Sequence, residues 1–139
     1  MGSWITFNVG NSNLLREGRV EVLKAFFEAG GGVIDSSPMY GSSEEVIGYC
    51  LERLAARPPP FSATKVWSPF KWYGASQMQN SLDLWGVDRF DLIQVHNLLG
   101  REGYLETLKE MKAQGRVRYI GVTTSHGRRH GELQDVMTR

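Results

Sequence analysis

Cysteine is nearly absent from this chain: Cys50 is the only one among 139 residues. A single thiol excludes an internal disulfide and a cysteine-rich zinc site. Cys50 falls in a helical apolar pattern with Val46, Ile47, Leu51 and Leu54, which reads as a small core residue and not as a nucleophile. An excess of charge of either sign is missing as well. The formal charge of +1 gives no reason to expect nucleic acid or an anionic membrane as a partner. No apolar run approaches the roughly 18 residues of a membrane span. The first residues lack a basic segment leading into an apolar stretch, so cytoplasm is the default compartment; because the N-terminus looks incomplete, an export signal stays open. Also lacking is a G-x-G-x-x-G motif after the first apolar run, which disfavours a dinucleotide-binding doubly wound sheet.

What the chain does have is alternation. With 41% hydrophobic and 22% charged residues it suits one soluble globular domain, taken as 1–139. Short β-like runs at 4–9, 32–37, 61–67, 90–97 and 117–123 alternate with segments of helical periodicity. Val20, Leu23 and Phe27 recur at helical spacing until Ala29 and the glycines after it. Ser42 with Glu45, and Ser76 with Gln79, read as capping boxes opening two further helices. Prolines at 58–60 should end the first of these and Gly86 the second. Leu105, Leu108 and Met111 line the next helix, which Gly115 should cap, and a short last helix is expected over 131–139. Five strands alternating with helices imply parallel pairing with right-handed crossovers. Eight strands close a barrel, so the expected fold is α/β, a partial (β/α)8 TIM barrel of about five βα units. On this reading at least three strands are missing beyond the C-terminus and a few residues before the N-terminus.

Four chemically active side chains close or follow these runs. Asp35 ends the second, Tyr40 stands in the loop after it, Lys65 lies near the end of the third, and His96 near the end of the fourth. In such a barrel the carboxyl ends of different strands converge on one face, where chemistry is done. A carboxylate, a phenol, an ammonium and an imidazole meeting there make a proton-transfer site. Each has an ordinary reading by itself: a turn-forming aspartate, a surface tyrosine, a solvated lysine, a satisfied histidine. The set persuades where its members do not.

The segment from Gly32 to Gly48, containing Asp35-Ser-Ser-Pro-Met-Tyr40-Gly41 and Glu44, resembles the second strand and signature loop of the aldo-keto reductase family. Residues 81–96 resemble that family's approach to its fourth strand, and 115–122 its fifth. The resemblance covers nearly the whole chain in the right order. It implies a barrel that uses NADPH to reduce a small-molecule carbonyl substrate, with a catalytic tetrad on Asp35, Tyr40, Lys65 and His96. The family usually has Ser-Asn after the fifth strand to hold the nicotinamide amide; here Thr123 and Thr124 stand there, and threonine lacks the paired donor and acceptor of an amide. The loops that grip the cofactor's phosphates and adenine have no counterpart in this chain.

These residue types suit the reaction. Hydride delivery to a carbonyl carbon builds negative charge on its oxygen, which must gain a proton. A free tyrosine holds its proton to about pH 10, so Tyr40 needs a neighbouring cation, and Lys65 can supply one. Asp35 as counter-ion would keep that ammonium charged in a dry pocket. His96 can donate a hydrogen bond to the substrate oxygen. The hydride must come from a cofactor. A nicotinamide-sensing module without significant turnover is the alternative, and an isomerase or lyase on the same barrel is a third reading.

Weaker features complete the list. Trp67, Trp72 and Tyr73, placed in the loop after the third run, either wall a substrate pocket or pack the loop on itself. Trp4 either reaches the nicotinamide or packs in the core. His126 and His130 are four apart, but no third ligand is near and no metal is expected. Arg128 and Arg129 either meet a phosphate or, the better reading, are solvated loop charges.

Overall fold

Four parallel strands lie side by side in chain order, β1 (Val33–Asp35), β2 (Phe61–Val66), β3 (Phe90–His96) and β4 (Val117–Thr123). The structure is a computed structural model that describes residues 1–54, 59–125, 127 and 129–138. Each pair of neighbouring strands is joined by one helix: α3 (Ser43–Arg53), α4 (Lys71–Trp85) and α5 (Arg101–Ala113). Two helices precede the sheet, α1 (Trp4–Phe7) and α2 (Asn13–Glu28), and α6 (His130–Met137) follows it.

The expected first strand at 4–9 is not one. Phe7 is wholly buried while Trp4 and Ile5 are exposed, a helical period, and the Phe7 N–H closes the turn on the carbonyl of Ser3 at 2.9 Å. The place beside β1 is taken by the residues just before. Gly2 bridges Asp35 in parallel, the Asp35 N–H donates to Met1 O at 2.8 Å, and Ser3 N–H donates to Asp35 O at 3.1 Å. The three later strand boundaries fall where the pattern put them or within a residue of it.

Both expected capping boxes are corrected. The Ser42 hydroxyl makes no cap bond; it accepts from Gly10 N–H at 2.8 Å, tying the loop before α2 to the start of α3. Glu45 pairs with Arg16 at 2.6 Å instead of reaching back. In α4 the helix begins five residues before Ser76, and Gln79 bonds Asp83 and Arg116. The glycine stops stand. Gly86 caps α4 at φ +66°, and Gly115, at φ +75°, follows α5, with its N–H bonded to Lys112 O at 3.0 Å. The proline stop at 58 lies outside the described residues, and α3 ends at Arg53.

Alternation along the strands separates two faces. Ile34, Val66, Ile93 and Val95 are wholly buried and join Val46, Ile47, Met78, Leu82, Leu108 and Met111 of the helices in one core. Burying each such side chain fully is worth about 1.5–3 kcal/mol. The other face carries Asp35, Lys65, Gln94 and Gly121, and near the strand starts Phe61 stacks on Tyr119 across β3, ring centroids 6.1 Å apart. Here Val33 and Tyr119 are about half exposed, at 49% and 46%. Among the described residues no helix is long and apolar enough to cross a membrane.

Candidate active site

Lys65 is the centre of the strand-end cluster. Its side chain points to the open face near the end of β2 and is only 6% exposed. A buried ammonium must find acceptors. Nζ lies 2.6 Å from Asp35 Oδ2 and 2.8 Å from the carbonyl of Ser36, both from the end of the neighbouring β1. The same Nζ stands 5.3 Å from the centroid of the Tyr40 ring. Tyr40 is placed by two turns: its N–H donates to Ser37 O at 3.0 Å and its carbonyl accepts from Ser43 N–H at 3.0 Å. The next residue, Gly41, has φ +58°, and a Cβ there would come 2.4 Å from Asn8 Oδ1, so any side chain behind the tyrosine would be strained and would displace the Asn8 amide. Trp4 stacks on the outer side of that ring, centroids 6.0 Å apart at 28°.

His96 ends β3, buried, and pairs in register with Thr123 of β4, two rungs above the Lys65–Gln94–Gly121 rung and so on the same face. The chain then turns sharply through two non-glycine residues at positive φ, Asn97 and Leu98, both at +54°. Such conformations cost of order 1–3 kcal/mol each and persist where surroundings dictate them. The surroundings here are explicit. Asn97 N–H donates to Thr123 O at 2.6 Å, and Asn97 Oδ1 accepts from the Ser125 N–H at 2.7 Å and its hydroxyl at 3.0 Å. Arg129 donates to the Asn97 carbonyl.

Two polar residues without an assigned part in the sequence reading belong to this neighbourhood. Gln94 Nε2 donates to Asp35 Oδ1 at 3.2 Å. Glu44, 2% exposed on α3, accepts from Thr64 Oγ1 at 2.6 Å, Ser81 Oγ at 2.7 Å and Trp85 Nε1 at 3.3 Å, behind the strand that carries Lys65. Burial pushes its carboxyl above the ordinary 4.5, against the opposing pull of its donors and of Lys65. The signal for Gln94 was its place two residues before His96, on the same face by strand alternation. That for Glu44 was a carboxylate amid an apolar helical pattern.

The sequence pattern that defines the Aldo/keto reductase family matches residues 1–136. The chain belongs to the aldo/keto reductase family. It is 30% identical over 119 residues to aldo-keto reductase YhdN of Bacillus subtilis, an alignment covering 75% of this chain and 36% of that protein. It is 34% identical over 114 residues to aldo-keto reductase str7 of Strobilurus tenacellus, covering 76% and 34%. The thermostable aldo-keto reductase Tm1743, solved with the inhibitor epalrestat, superposes with TM-score 0.79 at 26% identity over 99% of this chain and 52% of that one. An aldo/keto reductase from Klebsiella pneumoniae solved with NADP and acetate superposes at 0.72 with 27% identity over 88% and 44%. The chain thus spans about a third of the curated relatives' length and about half of the solved barrels, and its fold is part of a TIM barrel.

Within that aldo/keto reductase frame the remaining candidates fall as follows. Thr123 ends β4 opposite His96 and Thr124 comes next. Trp4 is 62% exposed on α1, which removes the core-packing reading. Trp72 and Tyr73 are not in a loop but in the first turn of α4, where Trp72 stacks on Phe70 at 6.3 Å and meets Tyr73 edge-on at 5.8 Å. All three are largely exposed, and Trp67 is half-exposed just past β2. Arg129 pairs with Glu132 at 2.6 Å and is not a free loop charge. His126 and Arg128 lie outside the described residues, and among those described no group of three metal-ligating side chains occurs. An open cleft of about 1320 Å³ lies at the opposite end of the strands, lined by Phe61, Asp91, Arg116 and Arg118, and holds none of the four strand-end residues.

Proposed function

We propose that this chain carries the proton-transfer half of an NADPH-dependent reductase that converts an aldehyde or ketone to an alcohol, with Tyr40 as proton donor. One observation supports this above the others: the buried Lys65 ammonium, held by Asp35 Oδ2 and Ser36 O, faces the Tyr40 ring at 5.3 Å. In this reading Tyr40 gives its proton to the carbonyl oxygen, and Lys65 stabilises the phenolate left behind. Asp35 keeps the lysine in place. His96, two rungs above on the same face, donates to the same oxygen and sets its direction.

The side chains at this rim suit a nicotinamide. Trp4 offers an exposed flat ring against Tyr40, and Thr123, opposite His96, offers a hydroxyl for the carboxamide. Bound NADPH would supply the hydride, which no side chain can. Relatives solved with NADP lend this cofactor its support.

The test is aldehyde-dependent NADPH oxidation by a chain that carries a whole barrel around these residues. Tyr40→Phe should lower the rate by about 10²–10⁴. An unchanged slow rate would favour a nicotinamide sensor, and turnover without any nicotinamide would favour an isomerase or lyase. The 139-residue chain by itself is proposed to be inactive, because its open face leaves Val33 and Tyr119 exposed where a closed barrel would cover them. Tight NADPH binding by a soluble monomer, read by cofactor fluorescence, would overturn that part.

A further inference from the structure

We propose that Gln94 is a positioning residue, which fixes the Asp35 carboxylate so that its charge is presented to Lys65 in one orientation. Asp35 is bound at both oxygens. Oδ2 takes the Lys65 ammonium at 2.6 Å, and Oδ1 takes the Gln94 amide at 3.2 Å. The second bond is unusual in its reach. Asp35 is on β1 and Gln94 on β3, with the whole of β2 between them. Neighbouring strands stand about 4.7–4.9 Å apart, so the two side chains together bridge two such steps.

Small residues on the path make this possible. In register Asp35 pairs with Ala63, and Lys65 pairs with Gln94 and through it with Gly121. Ala63, between Asp35 and Leu92 in register, projects only a methyl from β2. A Cβ on Gly121 would stand 3.2 Å from Gln94 Cγ and 3.2 Å from Leu92 Cδ1, so glycine leaves room for the glutamine stem. An amide also suits the task chemically. It donates to the carboxylate without bringing a second positive charge to compete with Lys65. Because the Asp35 side chain is 37% exposed, water can reach it, and without the amide it is free to rotate away from Nζ. The catalytic meaning of this rests on the reductase reading above; the geometry does not.

The test therefore uses neither cofactor nor turnover. The Lys65 ammonium in the ¹⁵N-labelled 139-residue chain is followed by NMR, and its hydrogen exchange with water is compared in wild type, Gln94→Leu and Gln94→Asn. Leucine fills the same space without a donor; asparagine keeps the amide but is too short to cross β2. Both variants should speed exchange by about fivefold, the equivalent of one net hydrogen bond, while amides of α2 and α5 stay unchanged. A glutamine that only fills space would show no change with leucine. Exchange within about twofold of wild type in both variants would overturn the proposal. Should the leucine variant fail to fold, the asparagine variant decides. A failed reductase assay would leave this readout standing, so the two ideas fail separately.

Discussion

Gly48 of α3 lies directly against the backbone carbonyl of Leu84 in α4: a Cβ at position 48 would come within 1.9 Å of that oxygen. Backbone, unlike a flexible side chain, cannot step aside. The two helices pack this closely because the contact residue has no side chain. Gly48→Ala gains helix propensity, worth about 0.8–1.0 kcal/mol, but must push α3 from α4. The expected net result is a loss of about 1–3 kcal/mol, read as a lower urea midpoint. An unchanged midpoint would mean that the helices are not seated as described.

Glu44 predicts a pH dependence with a definite sign. Its folded carboxyl is raised above the ordinary 4.5 by burial, so the folded protein holds that proton to a higher pH than the unfolded chain does. Stability from this group is greatest below 4.5 and falls as pH rises through the folded value. Glu44→Gln removes the charge but keeps an oxygen for Thr64 and Trp85, and its amide can donate to Ser81. The variant should therefore gain on wild type as pH is raised from 4 towards neutrality, and thermal midpoints at several pH values check this. A difference that stays flat, or grows the other way, refutes it. Glu44→Ala should cost about 2–4 kcal/mol at acid pH, because its donors lose their acceptor, and the deficit should shrink as pH rises and wild type loses its share of stability.

Asp35→Asn removes the counter-charge from a buried ammonium. Loss of one partner of a fully buried pair costs about 3–5 kcal/mol, and the partial exposure of Asp35 reduces this to about 1–3 kcal/mol. Lys65→Met should cost less, since the carboxylate left behind can turn to water and the stem is replaced in kind. Chemical denaturation of both variants gives the order. Equal losses would argue that packing of the lysine stem, and not the charge, is what the fold uses.

Cys50 is wholly buried, and desolvation pushes its thiol up to about 11. Thiol reagents attack the thiolate, so the native chain should be unreactive at pH 8 and become reactive only with denaturant. A fast reaction in native buffer would show that the core around α3 opens readily.

Much of the fold is legible in the sequence because the later strands are short apolar runs preceded by proline or glycine, and α4 and α5 stop where Gly86 and Gly115 turn left-handed. The site is legible for the same reason: residues at the ends of neighbouring parallel strands converge, so Asp35 and Lys65 meet although thirty positions separate them. Residues 4–9 misled because an apolar run that short suits either period, and only burial of Phe7 beneath exposed Trp4 settles it as a helix. The serines at 42 and 76 have the right spacing for caps, yet tertiary partners claimed the Ser42 hydroxyl and an earlier start to α4 overtook Ser76. Gln94 escaped because its bond crosses a whole strand, which no local pattern records.

The pairing of β2 with β3 sets Lys65 beside Gln94 and so puts His96 two rungs higher on the same side. Slide β3 by a single residue and every side chain on it changes sides: His96 would point into the helices, and Ile93 and Val95 would face outward. The imidazole is therefore aimed by grease on the far side of the strand. Substitutions at Ile93 or Val95, buried on the face opposite the rim, act on the aim of His96 without changing it.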